Sequence, residues 1–182
     1  MILACATRTE ERAGRKVGQT ALVGIGARRG LPEGRLVSFG LAGGLHDGLP
    51  LGTVLDATRV VAEDGRVLWE GRPLGANGAR AGTIVAVYRL LDDPAERRRL
   101  REQTGGDAAD MESGALARSG RLAGCVRAIS DSPSSPLGPV ASMVDAQGRL
   151  RARGLLGALA RPRETARALL GVRRALRALE AV

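Results

Sequence analysis

Short apolar runs alternate with polar, glycine-rich segments along most of the chain. Runs of this kind, rich in Val, Ile and Leu and bounded by glycine or proline, predict buried strands. The predicted strands lie at residues 2–6, 20–25, 35–39, 51–61, 83–88 and 125–129, with a further short segment at 108–111. We expect the glycine-rich residues 40–44 to break the third strand and form a turn.

Helical signals lie between these strands and at the end of the chain. Asp93 suits the N-cap and Pro94 the first helical position of a helix at 93–103. Further helices are predicted at 113–119, about 150–160 and about 163–181, and residues 7–12 form a loop or a helix start. The alternation of strands and helices predicts an α/β fold with a mixed or mostly parallel sheet.

Composition bounds the size and the partners of the protein. We expect residues 1–182 to form a single domain, with Arg-rich helices at 150–182. The net charge is +9, and Lys16 is the only lysine. A nucleic-acid-binding surface would combine basic with aromatic residues, but aromatics make up only 2% of the chain. We therefore expect no nucleic-acid partner and interpret most arginines as solvated surface residues.

The sequence also lacks signals for metals and membranes. Cys5 and Cys125 lie singly in apolar runs and are expected as buried strand residues. His46 is the only histidine; a catalytic or ribose contact is one interpretation, and a loop residue paired with Asp47 is favoured, since a single histidine cannot build a metal site. The apolar start of the chain is too short for a signal peptide, and no run approaches the length of a bilayer span. We expect a cytoplasmic protein without a metal.

Three segments are expected at one edge of the sheet, because ligands of open α/β sheets bind beyond the carboxyl ends of the strands. They are the glycine-rich residues 40–44, residues 110–112 at a helix start, and Ser130 and Asp131 at a strand end. Each alone has a simpler interpretation: a packing turn, a charge at a helix N-terminus and an N-cap. Their combination and order are more specific than any one of them.

These segments resemble the purine nucleoside phosphorylase and methylthioadenosine/adenosylhomocysteine nucleosidase superfamily. The resemblance is carried by FGLAGGL at 39–45, ADMESGALA at 109–117 and RAISDS at 127–132. The residues from 135 onward are similar to the hopanoid-associated phosphorylase branch, which removes adenine from adenosylhopane. The resemblance implies a three-layer fold, with a central mixed, mostly parallel twisted sheet flanked by helices.

The resemblance also implies roles for two acidic side chains. Asp131 would meet the purine N7, protonated as the base leaves, with Ser130 orienting it. Glu112 would accept hydrogen bonds from the ribose hydroxyls and stabilise the positive charge that develops on the sugar, with Met111 packed beside the ribose. The other implied substrate-binding residues are Gly26, Gly40, Leu41, Ala42 and Gly43.

The sequence leaves open which residue supplies a third carboxylate and whether water or phosphate is the nucleophile. Glu10 matches the position from which nucleosidases activate water; Glu11 is the alternative, and an exposed helix-start charge is the simpler interpretation of Glu10. Leu41 replaces the Ser or Thr of many relatives, so both water and phosphate stay open as the nucleophile. We expect no cofactor, with phosphate as a candidate co-substrate. For stacking on the purine, Trp69 and Tyr88 are the candidates, and core packing is favoured for Tyr88.

The last helix allows two interpretations. Its leucines and Val172 repeat at helical spacing, at Leu169, Val172, Leu176 and Leu179, while its arginines fall largely elsewhere. The favoured interpretation is a helix that covers the sheet and presents its arginines to water. The alternative is a basic amphipathic helix in peripheral contact with an anionic membrane.

We therefore expect an enzyme that cleaves the N-glycosidic bond of an adenosyl nucleoside, by hydrolysis or phosphorolysis, and releases adenine. Adenosylhopane in hopanoid biosynthesis is the favoured substrate, and a methylthioadenosine/adenosylhomocysteine or futalosine nucleosidase is the alternative. The short segment 26–35, where relatives have a helix, leaves open a catalytically worn nucleoside-binding protein. The resemblance implies a homodimer or a higher homo-oligomer.

Overall fold

The computed structural model describes residues 1–142 and 159–182 and shows a central mixed sheet flanked by helices. The strands are β1 (Ile2–Cys5), β2 (Thr20–Leu22), β3 (Leu36–Gly44), β4 (Val54–Ala62), β5 (Val67–Glu70), β6 (Arg80–Ala86), β7 (Ala108–Asp110) and β8 (Leu122–Asp131). The helices are α1 (Arg8–Gly14), α2 (Pro94–Thr104), α3 (Ser113–Arg118), α4 (Pro139–Ser142) and α5 (Pro162–Leu179). The predicted α/β fold with a mixed sheet is confirmed.

The sheet is built around β3 and β8, which run parallel to each other. On one side of β3, β1 and then β2 continue the sheet in parallel. On the other side, β8 pairs with β4, β4 with β6, and β6 with β7, and β7 returns to β3. The carboxyl ends of β3, β6, β7 and β8 therefore meet at one place, as the register pairs Gly43 with both Ala109 and Asp131 shows.

The glycine-rich residues 40–44 continue β3, so the predicted turn is wrong. The stretch stays extended because β8 pairs with it as far as Gly43 and β7 pairs with Gly43 and Gly44. Glycine is needed at Gly40 because buried charged side chains occupy the space that a Cβ would fill. A Cβ built on Gly40 would overlap the Glu10 carboxylate and lie 2.7 Å from Arg127 Nη1. The glycines thus let charged side chains approach the strand backbone.

Two aromatic residues lie outside the main core. The hydrophobic pattern does not predict β5, because this strand pairs only with β4 and none of its residues is fully buried. Its Trp69 packs against the edge of the core. Tyr88 is 74% exposed, so the prediction that it packs in the core is wrong. The strand β6 ends at Ala86, which leaves Tyr88 on the surface with the Arg118 guanidinium 5.5 Å from its ring centre.

The last helix, α5, packs against β8, β3 and β4. Its buried face includes Leu179 of the predicted stripe, but its other three positions each lie one residue before the predicted ones. The buried residues are Ala168, Gly171, Ala175 and Leu179. Small residues occupy this face because the helix lies directly against β8: a Cβ on Gly171 would lie 2.5 Å from the carbonyl oxygen of Ser130. The helix therefore supports the strand end that carries Asp131.

Two predictions concern the end of the chain. The helix predicted at about 150–160 falls mostly outside the described residues. Within the described part of the chain, no helix is both long and apolar enough to cross a bilayer.

Candidate active site

A small cavity opens where the ends of β3, β6, β7 and β8 meet. Its volume is about 50 Å³, and its walls include Gly43, Asp110, Met111, Asp131, Val87 and residues 89–91. Arg97 also lines it, as does Arg89 of that segment, so the walls combine carboxylates and guanidinium groups with apolar side chains and bare strand backbone. Small-molecule pockets usually measure roughly 300 Å³ or more, so a purine enters only if part of this wall moves.

Asp131 is the last residue of β8 and is only 2% exposed. Its Oδ1 accepts a hydrogen bond from Ser130 Oγ at 2.5 Å, and its Oδ2 pairs with Arg97 Nη2. Burial raises the pKa of the Asp131 carboxyl, and the Arg97 charge and the Ser130 hydrogen bond oppose that rise. The carboxyl is therefore held in one orientation by partners on both of its oxygens.

A second polar group, the Arg127 cluster, adjoins the cavity and consists of Arg127, Asp110, Glu112, Glu10 and Ser38. Arg127 is fully buried; its Nη2 pairs with Asp110, lies 3.3 Å from Glu112 Oε2 and donates to Ser38 Oγ at 2.5 Å. A buried guanidinium needs acidic partners, and Arg127 finds them through Nη2, whereas its Nε has no hydrogen-bond partner among the described residues. Burial by itself lowers the pKa of Arg127, but the charges of Asp110 and Glu112 outweigh it and raise that pKa.

The two carboxylates at the entrance of α3 have separate partners. Asp110 accepts a hydrogen bond from Ser113 Oγ at 2.6 Å, which fixes the start of the helix. Glu112 accepts one from the Gly26 amide at 2.9 Å. Burial raises the pKa of Glu112 to about 7; the Arg127 charge opposes this rise, while Asp110 and Glu10 add to it.

Glu10 joins α1 to the central strand. Its Oε2 accepts hydrogen bonds from the Thr7 amide at 2.7 Å and the Thr7 hydroxyl at 2.8 Å, completing a capping box. Its Oε1 accepts one from the Leu41 amide at 2.8 Å. Arg127 Nη1 donates to the Leu41 carbonyl at 3.3 Å. Glu10 is thus a buried group of the Arg127 cluster, whereas Glu11 forms an exposed pair with Arg15.

The structure sorts the predicted site residues into two adjoining groups. Met111, Gly43 and Asp131 line the cavity, and Ser130 Oγ lies 3.3 Å from the Ala42 carbonyl oxygen behind it. The remaining predicted residues belong to the Arg127 cluster or contact it: Glu10, Gly26, Gly40, Leu41 and Glu112.

Sequence reasoning did not assign roles to Arg127, Asp110 or Arg97. Arg127 could have been found, because a single arginine inside the apolar run CVRAI needs buried acidic partners. Arg97 lies in an arginine-rich helix with nothing in the pattern to separate it from its neighbours. Only the structure shows that it is 1% exposed and reaches Asp131.

The other polar candidates lie elsewhere. His46 Nε2 is 3.5 Å from Asp107, whereas Asp47 accepts hydrogen bonds from Ser134, so the predicted pairing of His46 with Asp47 is wrong. Cys5 and Cys125 are buried and unpaired, as predicted. Among residues 1–142 and 159–182, no group of His, Cys, Asp and Glu side chains could hold a metal ion.

Comparison with known proteins gives a likeness of fold. Neither a protein-family model nor a curated protein sequence matches the chain. The 5′-methylthioadenosine/S-adenosylhomocysteine nucleosidase of Neisseria meningitidis, in complex with methylthio-immucillin-A, matches with a TM-score of 0.57 and 16% identity; the match covers 100% of this chain and 98% of the nucleosidase.

Other solved structures of similar fold come from two further bacteria. Futalosine hydrolase of Helicobacter pylori matches with a TM-score of 0.56 and 13% identity, over 94% of this chain and 95% of its own. The 5′-methylthioadenosine/S-adenosylhomocysteine nucleosidase of Campylobacter jejuni has a TM-score of 0.56 and 16% identity, over 100% and 98% of the two chains. At such identities the likeness shows a nucleosidase-type fold, and the hopanoid-associated branch stays a prediction.

Proposed function

We propose that this protein cleaves the N-glycosidic bond of an adenosyl nucleoside and releases adenine. One observation carries the proposal: the cavity bounded by Asp131 and Met111 adjoins the Arg127 cluster, which holds Glu112 and Glu10. Cleavage of this bond makes the sugar cationic and the base anionic. One side of the site therefore has to stabilise a positive charge and the other side a negative charge. The fold likeness to nucleosidases supports the same reaction class.

The base is assigned to the side of the cavity that carries Asp131. A carboxyl group fixed by Ser130 at a strand end is suited to hydrogen-bond the edge of a purine that bears N7 and the 6-amino group. The apolar neighbours Leu45, Val87 and Leu91 would lie against the ring. Exclusion of water from this wall strengthens each hydrogen bond to the leaving base.

The ribose is assigned to the side that carries Met111 and Glu112. An ionised Glu112 would accept hydrogen bonds from the ribose hydroxyls and stabilise the sugar cation. Glu10 is held by the Leu41 amide next to the same cluster, and it would take a proton from the nucleophile.

The charge of the Arg127 cluster favours water over phosphate as the nucleophile. Three carboxylates, Glu10, Asp110 and Glu112, surround a single guanidinium. Their excess negative charge would repel a phosphate dianion in a buried site. Leu41 also supplies only its backbone, where a hydroxyl could have held an oxyanion. We therefore favour hydrolysis.

Adenosylhopane is the favoured substrate, on the basis of the similarity of the residues from 135 onward. Methylthioadenosine, adenosylhomocysteine and futalosine are the alternative substrates. The small volume of the cavity would also suit a nucleoside-binding protein that has lost its catalytic activity.

The helix α5 exposes two leucines next to its arginines: Leu169 is 48% and Leu170 64% exposed. This exposure supports the proposals that α5 contacts a membrane or another subunit.

The test is adenine release from a panel of 5′-substituted adenosines, with and without phosphate. The proposal predicts release from at least one member at a rate that phosphate does not change. Phosphate-dependent release would replace hydrolysis by phosphorolysis. Binding of nucleosides without release of adenine would favour the worn binding protein, and neither binding nor release would reject the proposal. Flotation with anionic vesicles, comparing wild type with Leu170→Ser, tests the contact through α5.

A further inference from the structure

Arg97 lines the cavity but has no role in the function proposed above. Its Nε donates to the Leu91 carbonyl at 3.0 Å, and its Nη1 donates to the Gly44 carbonyl at 3.0 Å. Its Nη2 donates to the Leu91 carbonyl at 2.5 Å and also pairs with Asp131. These contacts use four of the five N–H groups of a guanidinium. One N–H on Nη1 is left for another acceptor.

The Arg97 guanidinium lies in the wall of the cavity, next to the Asp131 carboxylate. A Cβ built on Gly43 would lie 3.0 Å from Asp131 Oδ2 and 3.3 Å from Arg97 Nη1. Gly43 itself lines the cavity. A buried cation with an unused donor and a buried anion therefore lie side by side against bare backbone.

A donor beside an acceptor matches one edge of adenine. The edge carries N7, which accepts a hydrogen bond, and the 6-amino group, which donates one; an Asn or Gln amide reads this edge through one donor and one acceptor. The pair of Arg97 and Asp131 offers the same combination. It needs no proton on Asp131, whose two oxygens already accept hydrogen bonds from Ser130 and Arg97.

Resting on the proposed function, we propose that Arg97 is a catalytic residue that donates a charged hydrogen bond to N7 of the base while Asp131 accepts one from the 6-amino group. As the bond between C1′ and N9 breaks, its electron pair passes into the purine, and the Arg97 charge stabilises the anion. Water adds to C1′ and gives its proton to Glu10. On release the purine takes a proton from solvent and Glu10 gives its proton back to solvent, so the enzyme returns to its starting state.

The contact is tested by titration calorimetry with adenine and with 7-deazaadenine, which lacks the N7 acceptor. Wild type and the control Arg98→Gln, an exposed neighbour on α2, should bind adenine at least about tenfold more tightly than 7-deazaadenine. Arg97→Met, which removes every side-chain N–H at this position, should bind the two bases equally and lose about 100-fold in kcat. Unchanged discrimination in Arg97→Met would overturn the proposal, as would a wild type that does not discriminate.

A measurement on wild type alone covers the case in which Arg97→Met does not fold. A guanidinium donor, unlike a carboxyl donor, does not depend on pH in the physiological range, so the ratio of the two Kd values should be constant from about pH 6 to about pH 9. A ratio that falls toward one as pH rises would identify protonated Asp131 as the donor and overturn the proposal. The other charged groups near the Arg97–Asp131 pair are Asp92, Arg89 and Asp110. Glu112, whose pKa burial raises to about 7, lies beside Asp110 in the Arg127 cluster; its change of charge should affect the two Kd values alike and leave their ratio unchanged. If the preference for adenine over 7-deazaadenine depends on Arg97 but no nucleoside releases adenine, the Arg97 contact is supported and the proposed reaction is rejected.

Discussion

Arg127 Nη2 lies 3.3 Å from Glu112 Oε2, and the same nitrogen pairs with Asp110. One buried guanidinium therefore balances two acidic side chains, and Glu10 adds a third close by. The imbalance explains why burial can raise the pKa of Glu112 to about 7 even beside an arginine. It also makes Glu112 the group through which pH should act on both stability and activity.

The first prediction concerns stability and pH. Folding raises the pKa of Glu112 from 4.5 to about 7, so between these values the folded protein binds more protons than the unfolded chain. Glu112 therefore stabilises the folded protein most at low pH. Its contribution to the free energy of unfolding falls as the pH rises from about 4.5 to about 7 and is constant above that. Glu112→Gln should remove that decline, which is on the order of 3 kcal/mol, as measured by urea unfolding.

The comparison of Glu112→Gln with wild type isolates this group, because the raised pKa of Asp131 and the lowered pKa of Asp47 contribute equally to both proteins. Parallel curves of unfolding free energy against pH for the two proteins would contradict the assignment. In the adenine-release assay, kcat/KM of wild type should rise with pH through about 7, since the ionised form of Glu112 is the one that stabilises the sugar cation.

The second prediction concerns the close approach of charged side chains to β3. Gly40→Ala should destabilise the protein by about 1–3 kcal/mol, because the new Cβ would overlap the Glu10 carboxylate. Gly18→Ala is the matched control: its Cβ would meet only Leu3 Cδ1, at an ordinary 3.9 Å. Thermal unfolding of both variants measures the difference, and equal effects would show that Glu10 is not held against the strand.

The third prediction concerns the packing of α5 on β8. Alanine normally stabilises a helix relative to glycine by about 1 kcal/mol. Gly171→Ala should nevertheless destabilise the protein, since its Cβ would lie 2.5 Å from the Ser130 carbonyl oxygen. Leu170→Ala, on the exposed side of the same helix, should have little effect. A stabilised Gly171→Ala variant in urea unfolding would mean that the helix does not lie against β8.

The fourth prediction concerns access to the cavity. A volume of about 50 Å³ does not hold a purine, and the segment 87–91 forms one wall, with Leu90 45% exposed. Binding of adenine should therefore change amide hydrogen exchange in this segment and in the following loop up to Asp93. Exchange that changes elsewhere but not in residues 87–93 would place the ligand in a different site.

The sequence predicts the alternation of strands and helices well, because most strands are apolar runs with clear ends. It is wrong about residues 40–44, where ladder partners distant in sequence override the local preference of glycine for turns. It places Leu179 on the inner face of α5 correctly but misses the other three inner positions by one residue, because close contact with β8 favours Ala and Gly over the larger leucines. A local sequence pattern shows neither which distant strands pair with a segment nor how closely a helix packs against the sheet.

In the candidate site, too, the sequence predicts some residues and misses others. Asp131 and Glu112 could be predicted, because their segments follow a strand and open a helix at one edge of the sheet. The ion pair between Arg97 and Asp131 could not, since it joins residues 34 positions apart, on α2 and β8.

The central claim is that Asp131 contacts the departing base of a cleaved nucleoside. The most direct measurement is kcat/KM for adenine release from the best substrate of the panel, for wild type, Asp131→Asn and the exposed control Asp64→Asn. We predict a loss of about 100-fold or more for Asp131→Asn and no change for Asp64→Asn. Equal values for wild type and Asp131→Asn would contradict the account.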